Sequence, residues 1–281
     1  MDAAQKSRSH ESPRESGGAL TDAADWDSYY EGLDVSRLDT LSRLPSVFDT
    51  LLSGRTGSVF ELGCGGSPLL ARCARAGWSV SGVDFSKPSL VCLERYLTQH
   101  QLAAGNFLCG DIFQIEPNEL SESVDFLVSA GFLEHFKNPA PILKKWSTVL
   151  KADGQVISAI PNLLGANARV FAHYDPVFWN QHVVFDPAAV DQMHVDAGLR
   201  IVQKAQYLGR YDIHMLIPWT KISARFPHPQ LYRLFKLATY FGIGLPLSRL
   251  PLEPSRRLAP YIVGVYALSK RSFSAGPKPS A

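Results

Sequence analysis

The sequence predicts an α/β fold built on a mostly parallel sheet with helices on both faces. Three observations carry that expectation. From residue 57 onward, short apolar runs alternate with amphipathic stretches, the pattern of strands separated by crossover helices. The first run, Val59-Phe60-Glu61-Leu62, passes into the glycine-rich turn Gly63-Cys64-Gly65-Gly66 ahead of a helical segment. Carboxylates then recur at the ends of the next two runs, Asp84 and Asp111, where open α/β sheets hold their ligands.

The elements follow in order. Leu38, Leu41, Leu44, Phe48 and Leu51 recur at helical spacing, so an amphipathic helix is expected over 36–52. Strands are expected at 58–62, 78–84, 107–109, 124–130 and 154–160, and helices at 69–76, 89–99 and 140–150. A helix over 187–197 precedes a strand at 199–209, and 259–269 alternates as a final strand, with those last two forming an antiparallel pair. The whole is seven strands with flanking helices, an N-terminal lid helix and a helical insertion before the last strand. In domain terms, 1–20 is expected as a disordered tail and 21–270 as one catalytic domain. Within that domain, 21–55 is the lid, 56–162 the cofactor-binding core and 213–258 the cap insertion. A second disordered tail covers 271–281.

With 281 residues, 46% hydrophobic and 19% charged, the chain is long enough for one full core and a cap. A net charge of +2 gives no global reason to expect nucleic acid. Cys64, Cys73, Cys92 and Cys109 contain no CxxC pair and no histidine at metal-ligand spacing, so they read as thiols of a reducing compartment and no metal is expected. The polar N-terminus lacks the apolar core of a secretory signal, and no apolar run reaches 18 residues; a cytoplasmic location is expected.

The chemistry is read from the strand ends. Glycines at 63 and 65 let a ligand lie against the main chain. Glu61 in front of them would repel a pyrophosphate but suits a ligand bearing positive charge. Asp84, 19 residues after Gly65, can accept both hydroxyls of a ribose. Asp111 can receive the exocyclic amine of an adenine, with Phe85 and Ile112 on its faces. The run Ser129-Ala130-Gly131-Phe132-Leu133-Glu134-His135-Phe136 follows the fourth strand and faces the same crevice. A dinucleotide fingerprint would place glycine or alanine where Pro68 stands and would leave Asp111 without a role.

The series ELGCG, GVDFS, GD before an apolar residue, SAGFLEHF, VLKADG and IPN resembles the class I S-adenosylmethionine-dependent methyltransferases, in the small-molecule group that includes ubiquinone-biosynthesis-like enzymes. The resemblance covers about residues 56–162, with a weaker match at HVVFDPAAVDQMHVDAGL, and implies a Rossmann-like sheet. Gly66-Ser67-Pro68 departs from the commoner small-residue ending of the glycine loop. By this resemblance Glu61, Gly63 and Gly65 lie near the methionine part of the cofactor, and Ser129, Ala130 and Gly131 near its amino group or sulfonium. Asp84 would hold the ribose, and Asp111 and Ile112 the adenine; Phe85 and Ser86 are further cofactor contacts, and Tyr30 belongs to a lid over the cofactor.

The reaction implied is in-line transfer of the sulfonium methyl to a small-molecule acceptor, giving S-adenosylhomocysteine. An oxygen or nitrogen acceptor must lose a proton, and His135 and His182 are the candidate bases; a sulfur acceptor would need none. Trp26 and Tyr29 in the lid, Tyr174 and Trp179 after the fifth strand, and Arg210 and Tyr211 before the insertion are candidate acceptor contacts. The insertion carries seven Lys and Arg against one Glu, a net of +6. It reads as a membrane-surface segment, as a lid clamping an acidic substrate, or as a cap packed on the core or on a second subunit. A membrane-associated quinone or lipid methyltransferase and a non-catalytic regulatory protein that binds the cofactor are the alternative functions. Monomer and homodimer both remain open.

Overall fold

A computed structural model describes residues 19–21, 27, 35–40, 48, 54, 56–103, 105–120, 123–250 and 253–269. Trp26, Tyr29 and Tyr30, residues 41, 44 and 51 of the expected first helix, residues 1–18 and residues 270–281 lie outside them.

Seven strands form one sheet in the order β3-β2-β1-β4-β5-β7-β6. They are β1 Ser58–Leu62, β2 Ser79–Asp84, β3 Asn106–Cys109, β4 Val124–Ala130, β5 Leu150–Pro161, β6 Leu199–Leu208 and β7 Tyr261–Leu268. β1 to β5 pair in parallel, whereas β7 runs antiparallel to both β5 and β6. β1 and β4 are buried along nearly their whole length, because helices cover both faces. Alternate side chains divide the core: Phe60 and Leu62 pack with Trp146 and Tyr266 on one face, Val59 and Phe126 with Leu70 and Tyr96 on the other.

The crossover helices are α1 Pro68–Arg75, α2 Lys87–Gln99 and α3 Ala140–Trp146. α1 and α2 start on serine caps, where Ser67 accepts from the Leu70 amide at 3.0 Å and Ser86 from the Ser89 amide at 3.3 Å, each followed within two residues by proline. The helix expected to run to residue 150 is α-helical only through Trp146 and tightens to a 3-10 turn at Ser147–Val149. Ser147 and Thr148 donate their hydroxyls back to the carbonyls of Lys144 and Lys145, so the side chains compete with the helix ladder there. β5 then begins at Leu150, four residues before the expected start at 154. At the N-terminus, Val35–Thr40 forms a 3-10 helix rather than the start of an α-helix, with Leu38 buried beside Phe48 against α1 and α2. Ala19 bridges Phe136, and the Leu20 amide donates to the His135 carbonyl at 2.9 Å, so the ordered chain reaches into the stretch expected to be disordered.

After β5 come α4 Ala166–Tyr174, α5 Pro176–Trp179 and α6 Pro187–Asp196. Between β6 and β7 the insertion holds α7 Trp219–Ser223, α8 Pro229–Thr239, a π-helical turn at Tyr240–Gly244 and α9 Leu245–Arg249. The strand order reverses between β1 and β4, which opens the ligand crevice at their C-terminal ends.

Candidate active site

The crevice is lined from both sides of that reversal. Gly63 has φ +64, and a β-carbon there would stand 2.1 Å from the Phe132 ring, which leans across from the loop after β4. Gly82 of β2 likewise makes room for Cys64, whose side chain would lie 2.7 Å from an added β-carbon. The turn is thus wound tightly between two neighbours, and only glycine fits at those points.

Gly65 donates its amide to Oδ2 of Asp84 at 2.9 Å, while the Ser86 amide and the Ser89 hydroxyl reach Oδ1 at 2.8 and 3.3 Å. Burial raises the Asp84 pKa, with the two amides opposing it. Ser86 also donates to Asp27 at 2.6 Å, drawing the N-terminal segment to the end of β2. Glu61 is 3% exposed and accepts from the hydroxyl of Ser67, the same side chain that caps α1. Burial pushes its pKa up to about 8, against the lowering effect of that hydrogen bond. The role of Ser67 explains why the loop ends in Ser-Pro: one residue anchors both the helix and the carboxyl.

Asp111 turns the chain after β3, accepting from the Phe113 amide at 2.9 Å, and Gly110 donates to the Asp84 carbonyl at 2.9 Å, which keeps the two strand ends together. Ile112 is buried in the core, with its carbonyl held by the Trp146 indole at 3.1 Å, while Phe85 is half-buried. Ser129 is the β4 partner of Leu62 and is buried; Ala130 is half-buried. Gly131, at φ +70, faces open space bounded by Oε1 of Glu134, 3.6 Å from where a β-carbon would sit.

These groups fit an amino-acid-bearing nucleoside and not a dinucleotide. The Gly65 amide of the glycine turn is already bound to the Asp84 carboxylate, which takes it away from a phosphate. A ribose diol can use the remaining lone pairs of Asp84, and a cationic group is favoured beside Glu61.

Residues 60–158 match the family model described as a methyltransferase domain. The match takes in the strands β1 to β5 that carry the glycine turn and both carboxylates. Among proteins similar to this chain is a ubiquinone biosynthesis O-methyltransferase of Ralstonia nicotianae, 32% identical over 136 residues, or 47% of this chain and 53% of that one. A protein of the same name from Chromobacterium violaceum is 28% identical over 226 residues, covering 79% and 77%. The chain spans about half the length of several such relatives, 53% and 46% for those from Ralstonia nicotianae and Pseudomonas paraeruginosa. A solved structure of coclaurine N-methyltransferase bound to N-methylheliamine and S-adenosylhomocysteine superposes with a TM-score of 0.55 at 15% identity, covering 89% of this chain and 83% of that one. Magnesium protoporphyrin IX methyltransferase from Synechocystis, with S-adenosylhomocysteine bound, superposes at 0.50 with 13% identity, covering 88% and 94%. At such identities the likeness is one of fold.

A second cluster gathers around the loop after β4. His135 lies on a 3-10 turn, Leu133–His135, and is 3% exposed. Its Nδ1 stands 3.0 Å from the Gln181 carbonyl, so Nδ1 carries the proton and Nε2 is the basic nitrogen. His182 repeats the arrangement, with Nδ1 2.7 Å from the Phe178 carbonyl, and the two rings are 4.5 Å apart. Burial lowers both pKa values, that of His135 to about 4 with His182 contributing. Phe171 and Phe178 set their edges on the His182 ring at 5.5 and 4.8 Å, and Trp179 packs on Phe171 at 5.8 Å.

Glu134 was not singled out by sequence. It is 1% exposed, with Oε1 4.0 Å from Nε2 of His135 and Oε2 without a hydrogen-bond partner. Burial raises its pKa to about 8. Tyr261, half-buried at the start of β7, is a further group near this cluster; its pKa is pushed up to about 12 by desolvation, then by Asp212 and Glu134. The adjacent Glu-His pair in the loop after β4 was the available signal for Glu134, but glutamate is so rarely buried that the histidine drew the attention.

Of the other expected acceptor contacts, Tyr174 lies beneath the Arg225 guanidinium at 4.8 Å, Tyr211 donates to Oδ1 of Asn167 at 2.8 Å, and Arg210 is exposed. No helix among the described residues is long and apolar enough to cross a membrane.

Proposed function

We propose that the chain transfers the methyl group of S-adenosylmethionine to the oxygen or nitrogen of a small-molecule acceptor. The observation that carries this reading is the pair Glu134 and His135, buried in the loop after β4, with the half-buried ring of His182 4.5 Å from that of His135. When bound, the donor supplies a methyl group on a sulfonium, already activated for in-line displacement. Glu61, Gly63 and Gly65 hold its methionine end, Asp84 with Ser86 beside it the ribose, and Asp111, Phe85 and Ile112 the adenine. Ser129, Ala130 and Gly131 form the floor beside the methyl-bearing end.

The chain's own contribution to the step is orientation, exclusion of water and removal of the acceptor proton. Nε2 of His182 or of His135 accepts that proton. Glu134, neutral at ordinary pH by burial, can donate a hydrogen bond to the acceptor through its unpartnered oxygen end. The aromatic wall of Phe171, Phe178 and Trp179 suits an acceptor with a flat or apolar body. Trp26, Tyr29 and Tyr30 would complete the site from the N-terminal segment, which Asp27 brings to Ser86. A chain of net charge +2 working on a metabolite in the cytoplasm, as monomer or homodimer and without nucleic acid, completes the reading.

The test is incubation with methyl-labelled donor and a metabolite extract, followed by identification of the labelled product. A labelled small molecule whose yield falls in Glu134→Gln supports the proposal. Intact binding of S-adenosylhomocysteine with no labelled product from any extract would overturn it in favour of a cofactor-binding regulator.

A further inference from the structure

The insertion is mounted with its apolar side outward. Leu231, Leu234, Leu237 and Ala238 lie on one side of α8, and all four are exposed. The other side holds Lys236, whose ammonium lies over the Trp219 ring at 5.3 Å, and Tyr232 and Phe235, packed on Phe226 at 5.7 and 5.2 Å. The helix therefore turns its lysine and tyrosine toward the protein and its leucines toward solvent, the reverse of a cap helix packed on a core. No residue of α8 is buried. Leu234 is 63% exposed, Leu237 53%, Phe241 60% and Ile243 50%, and residues 231–250 hold seven of the eleven exposed large hydrophobics among the described residues. Patches of this kind mark interaction sites.

The charge on this surface is as one-sided as its apolarity. Between Asp212 and Glu253 the sequence contains no carboxylate at all, but it contains Lys221, Arg225, Arg233, Lys236 and Arg249. Lys221, Arg225, Arg233 and Arg249 are exposed. From these observations we infer that the surface formed by α8, the π-helical turn and α9 docks on an anionic lipid bilayer, lying in the interface with its leucine and phenylalanine side chains inserted and its arginines at the headgroups. Segments 229–249 are too short and too basic to span a membrane but match an interfacial helix, which pairs an apolar face with Lys and Arg. A second copy of the chain fits less well. An isologous contact would oppose two arginine-bearing faces with no carboxylate between residues 213 and 252 to pair them. The inference does not depend on which acceptor is methylated.

The experiment is co-sedimentation of the full chain with vesicles of phosphatidylcholine, with and without phosphatidylglycerol. Leu234→Ser with Phe241→Ser, and Arg233→Glu with Arg249→Glu, are the variants; all four side chains are exposed, and retained S-adenosylhomocysteine binding shows that each variant folds. The expected result is binding to the anionic vesicles, weakened by salt and by roughly tenfold or more in either double variant. No sedimentation with anionic vesicles would overturn the inference, as would equal sedimentation by both variants. A concentration-dependent dimer that is lost in Leu234→Ser with Phe241→Ser, without vesicle binding, would instead assign the face to a second copy.

Discussion

The amide of Gly65 donates to Oδ2 of Asp84 at 2.9 Å, tying the turn after β1 to the end of β2. Because the Ser86 amide and Ser89 hydroxyl hold the other oxygen, both sides of the carboxylate face donors. Asp84→Asn must set an amide N–H against one of them, and Asp84→Ala leaves all of them without the carboxylate. Each change should lower stability by about 1–3 kcal/mol, since a buried donor loses its acceptor. Affinity for S-adenosylhomocysteine should also collapse, because the same oxygens serve the ribose. Denaturant unfolding and titration calorimetry read the two effects separately. Unchanged calorimetric affinity in Asp84→Ala would remove Asp84 from the cofactor site.

Glu61 gives a pH dependence with a definite sign. Burial holds its folded pKa near 8, so the carboxyl is largely protonated at neutral pH in the unliganded protein. A cationic ligand favours the ionised form, and binding must then release a proton. Affinity for S-adenosylmethionine should rise with pH and level off above about 8. The heat of binding at pH 7 should vary with the ionisation enthalpy of the buffer. Ser67→Ala, which removes the hydrogen bond that favours the ionised carboxylate, should push the plateau to higher pH and cost about 1 kcal/mol of stability as the α1 cap is lost. A binding heat identical in all buffers would mean that Glu61 does not change ionisation.

The sheet was legible because its signals are local. Each parallel strand is an apolar run, and Gly63, Gly65 and Gly82 are required by backbone shape or close approach. Asp84 and Asp111 were readable for the same reason: their positions follow from where a strand stops. The cluster of Glu134, His135 and His182 was only half legible. His135 and His182 are 47 positions apart in sequence, and neither spacing nor composition brings their rings to 4.5 Å. Glu134 is invisible to a reading that expects glutamates at the surface, and the 3-10 turn that buries it leaves no periodic trace. The insertion misled in another way. Its leucine spacing resembles that of a core-facing helix, and only the structure reveals which face points outward.

Glu134 and His182 should separate chemistry from binding. Glu134→Gln keeps the shape but removes the ionisable carboxyl; His182→Ala removes a basic nitrogen. Each should reduce turnover by about 10²-fold or more, the usual contribution of a positioned acid or base, with cofactor affinity nearly intact. Since burial lowers both histidine pKa values, the acid limb of the pH–rate profile should fall below the ordinary histidine range. Turnover unaffected in both variants would point to a sulfur acceptor, which needs no proton removed.

His194 should control acid stability from the far side of the sheet. It is fully buried, stacks on Tyr266 at 3.6 Å, and holds Oγ of Ser158 at 2.8 Å and the Val190 carbonyl at 2.7 Å. Burial lowers its pKa from the usual 6.5 to about 4, so the unfolded chain takes up a proton before the folded one does. Stability from the neutral ring is therefore complete above about 6.5 and is lost as pH falls toward 4. The loss over that window is on the order of 3 kcal/mol. His135 and His182 act in the same direction, so the whole chain should soften steeply in this range. In His194→Gln, denaturant midpoints should be lower at pH 7, because the stacked ring is lost, but should fall less between pH 6.5 and 4. An equally steep decline in His194→Gln would shift the acid sensitivity to the His135 and His182 pair.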